Sequence, residues 1–251
     1  MNAFLVGLQF LTRISIVKQT VWTEESFGKS VKFFPAVGAV LGISYAIIIA
    51  IVSYFISLSM LKAAIILILM TALTGAIHCD GFMDTMDGLF SGRDREKMLE
   101  IMKDSRVGAF GVVSFVMISI FEFATLKELA NISTIKLIAT IYSAPIIGRL
   151  MMVIIIGTFN YARPEGMGKA FAQYTTKSTV AFAAIESLLL LIPIFYIDMI
   201  MEIAVSLILT LAFSVYFGNF VKKKVGGVTG DIYGAVTTIS ESIVMLTFLI
   251  I

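Results

Sequence analysis

LKAAIILILMTALTGAIHCDGFMDTMDG, residues 61–88, joins two kinds of sequence. Its first seventeen residues carry one charge, Lys62, and come close to the roughly 20 apolar residues that cross a bilayer core as helix. Directly behind them stand three carboxylates, Asp80, Asp84 and Asp87. The apolar half decides the fold class, and the acidic half poses the question of function.

Apolar runs of similar length recur at about 33–57, 61–78, 107–126, 135–157, 179–197, 201–221 and 231–250. They are continuous rather than alternating with period two, which favours helices over barrel strands. Apolar residues make up 59% of the chain and charged residues 14%, with a mean hydropathy of +0.98, outside the range of soluble domains. The expected fold is all-α: a polytopic membrane helix bundle of about seven transmembrane helices, forming a single integral membrane domain over residues 1–251. No linker, low-complexity segment or repeat divides it. MNAFLVGLQFLTRISIV at the N-terminus is short and interrupted by Arg13. It lacks the flanking signals of a cleaved leader and reads as an interfacial or half-buried helix. The single cysteine, Cys79, excludes an intrachain disulfide and a Cys-rich metal site. A net charge of +2 names no partner by itself; the bilayer is the expected one, nucleic acid is not, and a homo-oligomer is left open.

The placement of charge is more informative than its sum. If the seven runs alternate in direction, one side receives Arg13, Lys18, Lys29, Lys32, Arg93, Arg95, Lys97, Lys103, Arg106, Arg163, Lys169, Lys177 and Lys222 to Lys224. The other side receives Lys62, Lys127 and Lys136. The positive-inside rule makes the first side cytoplasmic and predicts a cell-membrane protein whose site faces the cytoplasm.

Asp80, Asp84 and Asp87 are spaced i, i+4, i+7, which puts them on one helical face. Three stacked carboxylates repel one another, and near hydrocarbon each costs roughly 3 kcal/mol. A divalent cation compensates best, and Mg²⁺ characteristically shares its shell between one or two carboxylates and a substrate phosphate. Gly81 and Gly88 beside them leave room for a ligand or a neighbouring helix. The bland alternative is a solvated helix end, and the spacing alone makes His78 a structural, hydrogen-bonding residue.

In LFSGRDREKMLEIMKDSRVGAFG, residues 89–111, Met98, Leu99, Ile101 and Met102 form a stripe for the membrane surface. Lys103, Ser105 and Arg106 then lead into Gly108, Gly111 and an apolar run. Cationic side chains beside a helix N-terminus suit a diphosphate, although the same residues also serve as interfacial anchors. Arg149, inside APIIGRLMMVIII, is expected to meet a carboxylate of the cluster or an anionic substrate. GGVTGD, residues 226–231, resembles an anion nest that leads into a helix. Glu122, Glu186 and Glu241 also fall in apolar runs and are candidate partners inside the bundle, with no specific role assigned.

Four segments in this order resemble the cobalamin synthase family, the adenosylcobinamide-GDP ribazoletransferases: FFPAVGAVLG (33–42), HCDGFMDTMDGLFSGRDREKMLEIMKDSRVGAFG (78–111), YARPEGMGKAF (161–171) and GGVTGDIYGA (226–235). The resemblance implies a multispanning, Mg²⁺-using enzyme. Such an enzyme joins adenosylcobinamide-GDP to α-ribazole or its 5′-phosphate, releases GMP, and forms adenosylcobalamin or its 5′-phosphate. The family's HxDGxxDxxDG pattern falls on His78, Asp80, Gly81, Asp84, Asp87 and Gly88; Cys79 stands where relatives often carry glutamate. On this reading Asp80, Asp84 and Asp87 are catalytic and bind metal, with Asp104 as an additional ligand. His78, Lys103, Ser105, Arg106, Arg149, Arg163, Thr229 and Asp231 bind substrate. DTMDGLFSGR is also similar to the opening of the CDP-alcohol phosphotransferase signature. The competing readings are therefore a Mg²⁺-dependent intramembrane prenyl- or CDP-alcohol-type transferase and an ion-coupled transporter. The first would show further acidic motifs, and the second would show mid-span acids in paired, interrupted helices.

Overall fold

The computed structural model describes residues 2–16 and 22–251. Lys18, counted above among the basic residues of one side, lies outside them. The described residues are helical throughout apart from their connections: α1 (Ala3–Leu11), α2 (Glu24–Ser30), a 3₁₀ turn (Val31–Phe33), α3 (Phe34–Phe55), α4 (Ser59–Thr74), α5 (Ile77–Leu89), α6 (Arg95–Ile101), α7 (Ala109–Ile132), α8 (Thr134–Thr158), α9 (Met167–Tyr174), α10 (Lys177–Leu190), α11 (Ile192–Phe195), α12 (Ile200–Val225) and α13 (Gly230–Ile250). Side chains that accept from the otherwise unpaired backbone donors of the first turn start many of them: Asn2 for α1, Thr23 for α2, Asp94 for α6, Ser133 for α8, Thr176 for α10 and Thr229 for α13.

Among the described residues, six helices are long and apolar enough to cross a membrane, and α4 with α5 makes a seventh if that bent pair counts as one span. The expected all-α polytopic bundle and its seven runs are therefore present. Two spans form the middle of the bundle: 83% of the α8 window and 78% of the α13 window are buried, against 22–39% for the other spans, whose apolar faces point outward. FFPAVGAVLG explains how α3 reaches α8. A Cβ on Gly38 would lie 2.3 Å from the Pro145 carbonyl oxygen, and one on Gly42 would lie 2.5 Å from that of Tyr142. Two glycines four residues apart thus let the two backbones touch, the small-xxx-small device of membrane helices. Packing, rather than a hydrophobic drive, holds these helices together in lipid.

The chain departs from a simple up-and-down bundle at residues 75–76. Gly75 (φ 62°) and Ala76 (φ 61°) are both left-handed, and α4 meets α5 at 90°. Glycine takes that conformation freely, whereas alanine pays a steric cost of roughly 1–2 kcal/mol there. The N-terminal segment holds the elbow: the Arg13 amide donates to the Leu73 carbonyl at 2.7 Å, and the Arg13 side chain lies where a Gly75 Cβ would be. The run 61–78 is therefore not one straight helix. α1 has one buried face, carrying Val6, Leu8 and Leu11, in keeping with a half-buried element.

The polar segments share one end of the bundle. Arg95 Nε donates to the Val225 carbonyl at 2.9 Å, Arg163 to Asp231 at 2.7 Å, and the amides of Gly108 and Gly111 to Asp87. At the other end Lys136 faces Glu202 at 3.7 Å.

Candidate active site

The acidic face lies on α5, with Asp80 exposed and Asp84 and Asp87 half-buried. Gly81 sits at the crossing with α13, where a Cβ would stand 2.9 Å from the Asp231 carbonyl oxygen; Gly234 approaches the His78 carbonyl in return. That close packing brings the Asp231 carboxylate into the electrostatic neighbourhood of Asp80 and Asp84, with Arg163 as the counter-charge. The acidic group therefore joins two helices. Its fourth member comes from GGVTGD.

Arg163 is placed by a short pairing of two loops. Val228 donates to the Asn160 carbonyl at 2.9 Å and Ala162 to the Val228 carbonyl at 2.8 Å, forming an isolated parallel bridge between Tyr161 and Val228. Gly227 permits the approach, since a Cβ there would stand 2.3 Å from the Asn160 carbonyl oxygen. Gly226 (φ 85°) ends α12, while Thr229 starts α13 and donates to Asp231 at 3.1 Å. Arg163 then meets Asp231, with its Nε left buried and without an acceptor. α9 is held alongside by Phe171, whose ring contacts Phe10, Phe27 and Phe34 at centroid distances of 5.3, 5.9 and 5.5 Å.

These elements enclose a cavity of about 310 Å³ bordered by Asp80, Tyr161, Arg163, Phe171, Asp231 and Tyr233. Burial pushes the Tyr161 phenol up, and the neighbouring Arg163 pulls it the other way. The Tyr233 hydroxyl is buried without a partner. The Arg163–Asp231 pair and Asp80 share this lining with aromatic side chains, an arrangement that can hold a phosphate and a cation side by side.

The structure separates the sequence candidates. Asp80 and Asp84 accept no hydrogen bond from the described residues and remain available. Asp87 does not: its Oδ2 accepts from the Gly108 amide at 2.7 Å and its Oδ1 from the Gly111 amide at 2.8 Å. It caps α7, whose own N-cap residue, Gly108, has no side chain to do so. Asp104 is not grouped with the aspartates either. It takes both Arg106 side-chain donors, at 2.7 and 3.1 Å, and these bonds hold its carboxyl down to about 2. Lys103, Ser105 and Arg106 are exposed. Arg149, expected at the substrate, is 1% exposed and ion-paired with Glu241 inside the bundle. Thr229 is fully buried as a cap rather than part of an anion nest. His78 is buried, and its Nε2 has no hydrogen-bond partner, contrary to the hydrogen-bonding role expected of it. Tyr161, Phe171 and Tyr233 are additions that no spacing in the sequence singled out.

Among the described residues, no three His, Cys, Asp or Glu side chains converge closely enough to enclose a metal ion by themselves. The donors present do fit a hard cation that completes its shell elsewhere: two unpartnered carboxylates one helical turn apart, in the manner of Mg²⁺ shared with a phosphate.

Fold and site together define a class, a polytopic helical membrane protein with an acidic, arginine-flanked pocket at one end of the bundle. Comparison with known proteins narrows it. The chain belongs to the cobalamin-5-phosphate synthase family, whose model matches residues 3–249. It is similar to proteins named adenosylcobinamide-GDP ribazoletransferase from Fusobacterium nucleatum (35% identical, covering 100% of this chain and 98% of the relative). Those from Desulfitobacterium hafniense (37%; 98% and 96%) and Clostridium acetobutylicum (36%; 97% and 94%) are comparable. No solved structure matches the chain.

Proposed function

We propose that this protein transfers the phosphoryl-linked cobinamide of adenosylcobinamide-GDP to α-ribazole or its 5′-phosphate, releasing GMP. The observation that carries the reading is the cavity itself. Asp80 on α5 borders it together with Arg163, which retains a buried donor without an acceptor, and Asp84 stands one turn further along the same helical face within the electrostatic reach of Arg163, in a chain whose family and full-length relatives are named for this chemistry.

In this reading a ribose hydroxyl forms a bond to the phosphorus that carries the cobinamide. The bond between that phosphorus and the bridging oxygen breaks, and GMP leaves with the oxygen. Asp80 or Asp84 accepts the hydroxyl proton. Arg163 donates to the diphosphate and balances the charge that develops on GMP, while Asp231 and Tyr161 keep its guanidinium aimed into the cavity. A Mg²⁺ ion held by Asp80 and Asp84 would neutralise the diphosphate. The aromatic wall of Phe171 and Tyr233 limits water at the reacting phosphorus. The residues packed around this end also carry most of the Lys and Arg of the chain, so we place the site at the cytoplasmic face of the cell membrane.

The test is reconstituted protein supplied with adenosylcobinamide-GDP, α-ribazole and Mg²⁺, and scored for GMP. Release that depends on α-ribazole and is strongly reduced in Arg163→Met supports the reading. Absence of α-ribazole-dependent release from the folded wild type refutes it.

A further inference from the structure

Another cavity opens at the same end of the bundle as the acidic one. It measures about 440 Å³ and lies between α2, the 3₁₀ turn, the end of α9 and the start of α10. Tyr174 in its wall stands one turn after Phe171, which borders the acidic cavity. α2 and α9 close that wall, where a Cβ on Gly28 would stand 2.3 Å from the Cβ of Tyr174. Lys29 and Lys32 supply the charge, and no acidic side chain among the described residues lines the cavity. Ser178 and Thr179 lie on the α10 side, but their hydroxyls are engaged with Thr176, at 2.8 and 3.2 Å, in closing the first turn of α10. The attraction for an anion therefore rests on the two lysines.

Neither lysine has a strong partner. Lys32 is half-buried, its ammonium 4.9 Å from the centre of the Phe33 ring and 5.4 Å from that of Phe182. It forms no ion pair among the described residues. Glu186 lies within its electrostatic reach, but that carboxylate accepts from the Ala36 amide at 3.3 Å, at the start of α3. Two rings keep water off the ammonium and attract it less than an anion does. Lys29 pairs with Glu25 on the surface, an exposed contact that an incoming anion can displace at little cost.

Position selects the anion. α2 leads through the 3₁₀ turn into the span of α3, and α10 begins a second span, so the cavity sits where both enter the apolar layer. Phe182, Ile185 and Leu189 are exposed at i, i+3 and i+7 on α10, an apolar outward face that starts at the cavity wall. Basic pockets between membrane helices on the cytoplasmic side, where we place this end, hold acidic lipid headgroups. We propose that the cavity binds an anionic phospholipid, with Lys29 and Lys32 on the phosphate oxygens and an acyl chain along Phe182, Ile185 and Leu189. A free phosphate would satisfy the lysines alone; the lipid matches the lysines and the apolar face together. Such an occupant fastens α2, α9 and α10 to the leaflet, beside the Phe171 wall of the acidic cavity. Its binding is independent of the reaction proposed above.

The experiment is native mass spectrometry of the detergent-purified full-length chain, titrated with palmitoyl-oleoyl phosphatidylglycerol or the matching phosphatidylcholine. The wild type is expected to take up one phosphatidylglycerol ahead of further, weaker ones, and to show no such step with phosphatidylcholine. Lys29→Met and Lys32→Met should each weaken that first step about fivefold, and the double variant about 25-fold. Lys32→Arg should keep it, and Lys223→Met, outside the cavity, should leave it unchanged. Should Lys32→Met not fold, the exposed Lys29→Met carries the test with its fivefold loss. Equal uptake of the two lipids by the wild type overturns the proposal, as does an unchanged first step in the folded variants or an equal loss in Lys223→Met. Inorganic phosphate separates the sources. Displacement of the first phosphatidylglycerol by millimolar phosphate marks a free-anion site and overturns the lipid assignment, whereas retention of the lipid supports it.

Discussion

The capping of α7 by Asp87 predicts that the three aspartates respond differently to the same substitution. Asp87→Asn keeps the shape of the side chain, but only its amide oxygen can still accept. Its amide NH₂ then faces a backbone N–H, donor against donor. One charge-assisted bond of about 1.5–3 kcal/mol is lost. The surviving bond becomes neutral, and a favourable helix-dipole contact of roughly 0.3–1 kcal/mol goes with the charge. Reduced repulsion toward Asp84 offsets part of this. The net expectation is a loss of about 2 kcal/mol, or about 4–8 °C in melting temperature for a chain of this size. Asp80→Asn and Asp84→Asn remove no hydrogen bond to the protein and relieve repulsion, so they should melt with the wild type or above it while turnover collapses. The single thiol, Cys79, lies on α5 and supplies the readout: a thiol-reactive dye in a thermal ramp reports opening of that helix. If Asp87→Asn melts with the wild type, or Asp84→Asn falls as far as Asp87→Asn, the cap is not what Asp87 contributes.

The buried pair of Arg149 and Glu241 should behave as a unit: Arg149→Met or Glu241→Leu alone should cost about 3–5 kcal/mol by stranding a charge, and the double variant should regain most of it in the same melt. Gly38→Ala and Gly42→Ala should each cost about 1–3 kcal/mol, because the new methyl meets carbonyls of α8 that cannot yield; a wild-type melt for both would contradict the α3–α8 contact. Millimolar Mg²⁺ added with GDP should raise the melting temperature of the wild type and leave Asp84→Asn unmoved, and an equal rise in the two would remove Asp84 from the metal reading. Cysteine placed at Ser91 or Lys223 should escape a membrane-impermeant reagent applied outside intact cells, and efficient labelling there would reverse the orientation.

Spans, polar end and acidic face were legible because each is a local pattern. Apolar runs are read by length, basic residues by the side they fall on, and Asp80, Asp84 and Asp87 by helical periodicity within one element. The features that could not be read join residues far apart in the chain. Arg149 and Glu241 are separated by 92 positions, and Arg163 and Asp231 by 68. A lone arginine in an apolar run demands a partner without naming it, so Arg149 read as a contact of the aspartate cluster or of an anionic substrate, whereas its partner is Glu241, one of three glutamates that fall in apolar runs. The elbow at Gly75–Ala76 was hidden for another reason. Alanine carries no turn signal, and its left-handed conformation stands next to a tertiary contact, Arg13 against Gly75, that joins residues 62 positions apart.

The start of α7 shows the limit most clearly. Gly108 and Gly111 leave backbone donors uncovered at a helix N-terminus, with Lys103 and Arg106 close by, and that pattern suits an anion. An anion is present in the structure, but it is the carboxylate of Asp87. A Cβ on either glycine would stand 2.5 Å from its oxygens, so the two glycines are fitted to the side chain that fills the site. A phosphate and a carboxylate ask the same things of a helix end: free N–H groups, a positive dipole and room to approach. Sequence alone therefore recognised the kind of ligand and could not tell whether it came from the substrate or from the chain. The consequence for the acidic face is specific. With Asp87 committed to α7, the carboxylates of this face without a partner in the protein are Asp80 and Asp84, and it is Asp231, brought in from α13 by the glycine crossing at Gly81, that places a third acidic group beside them.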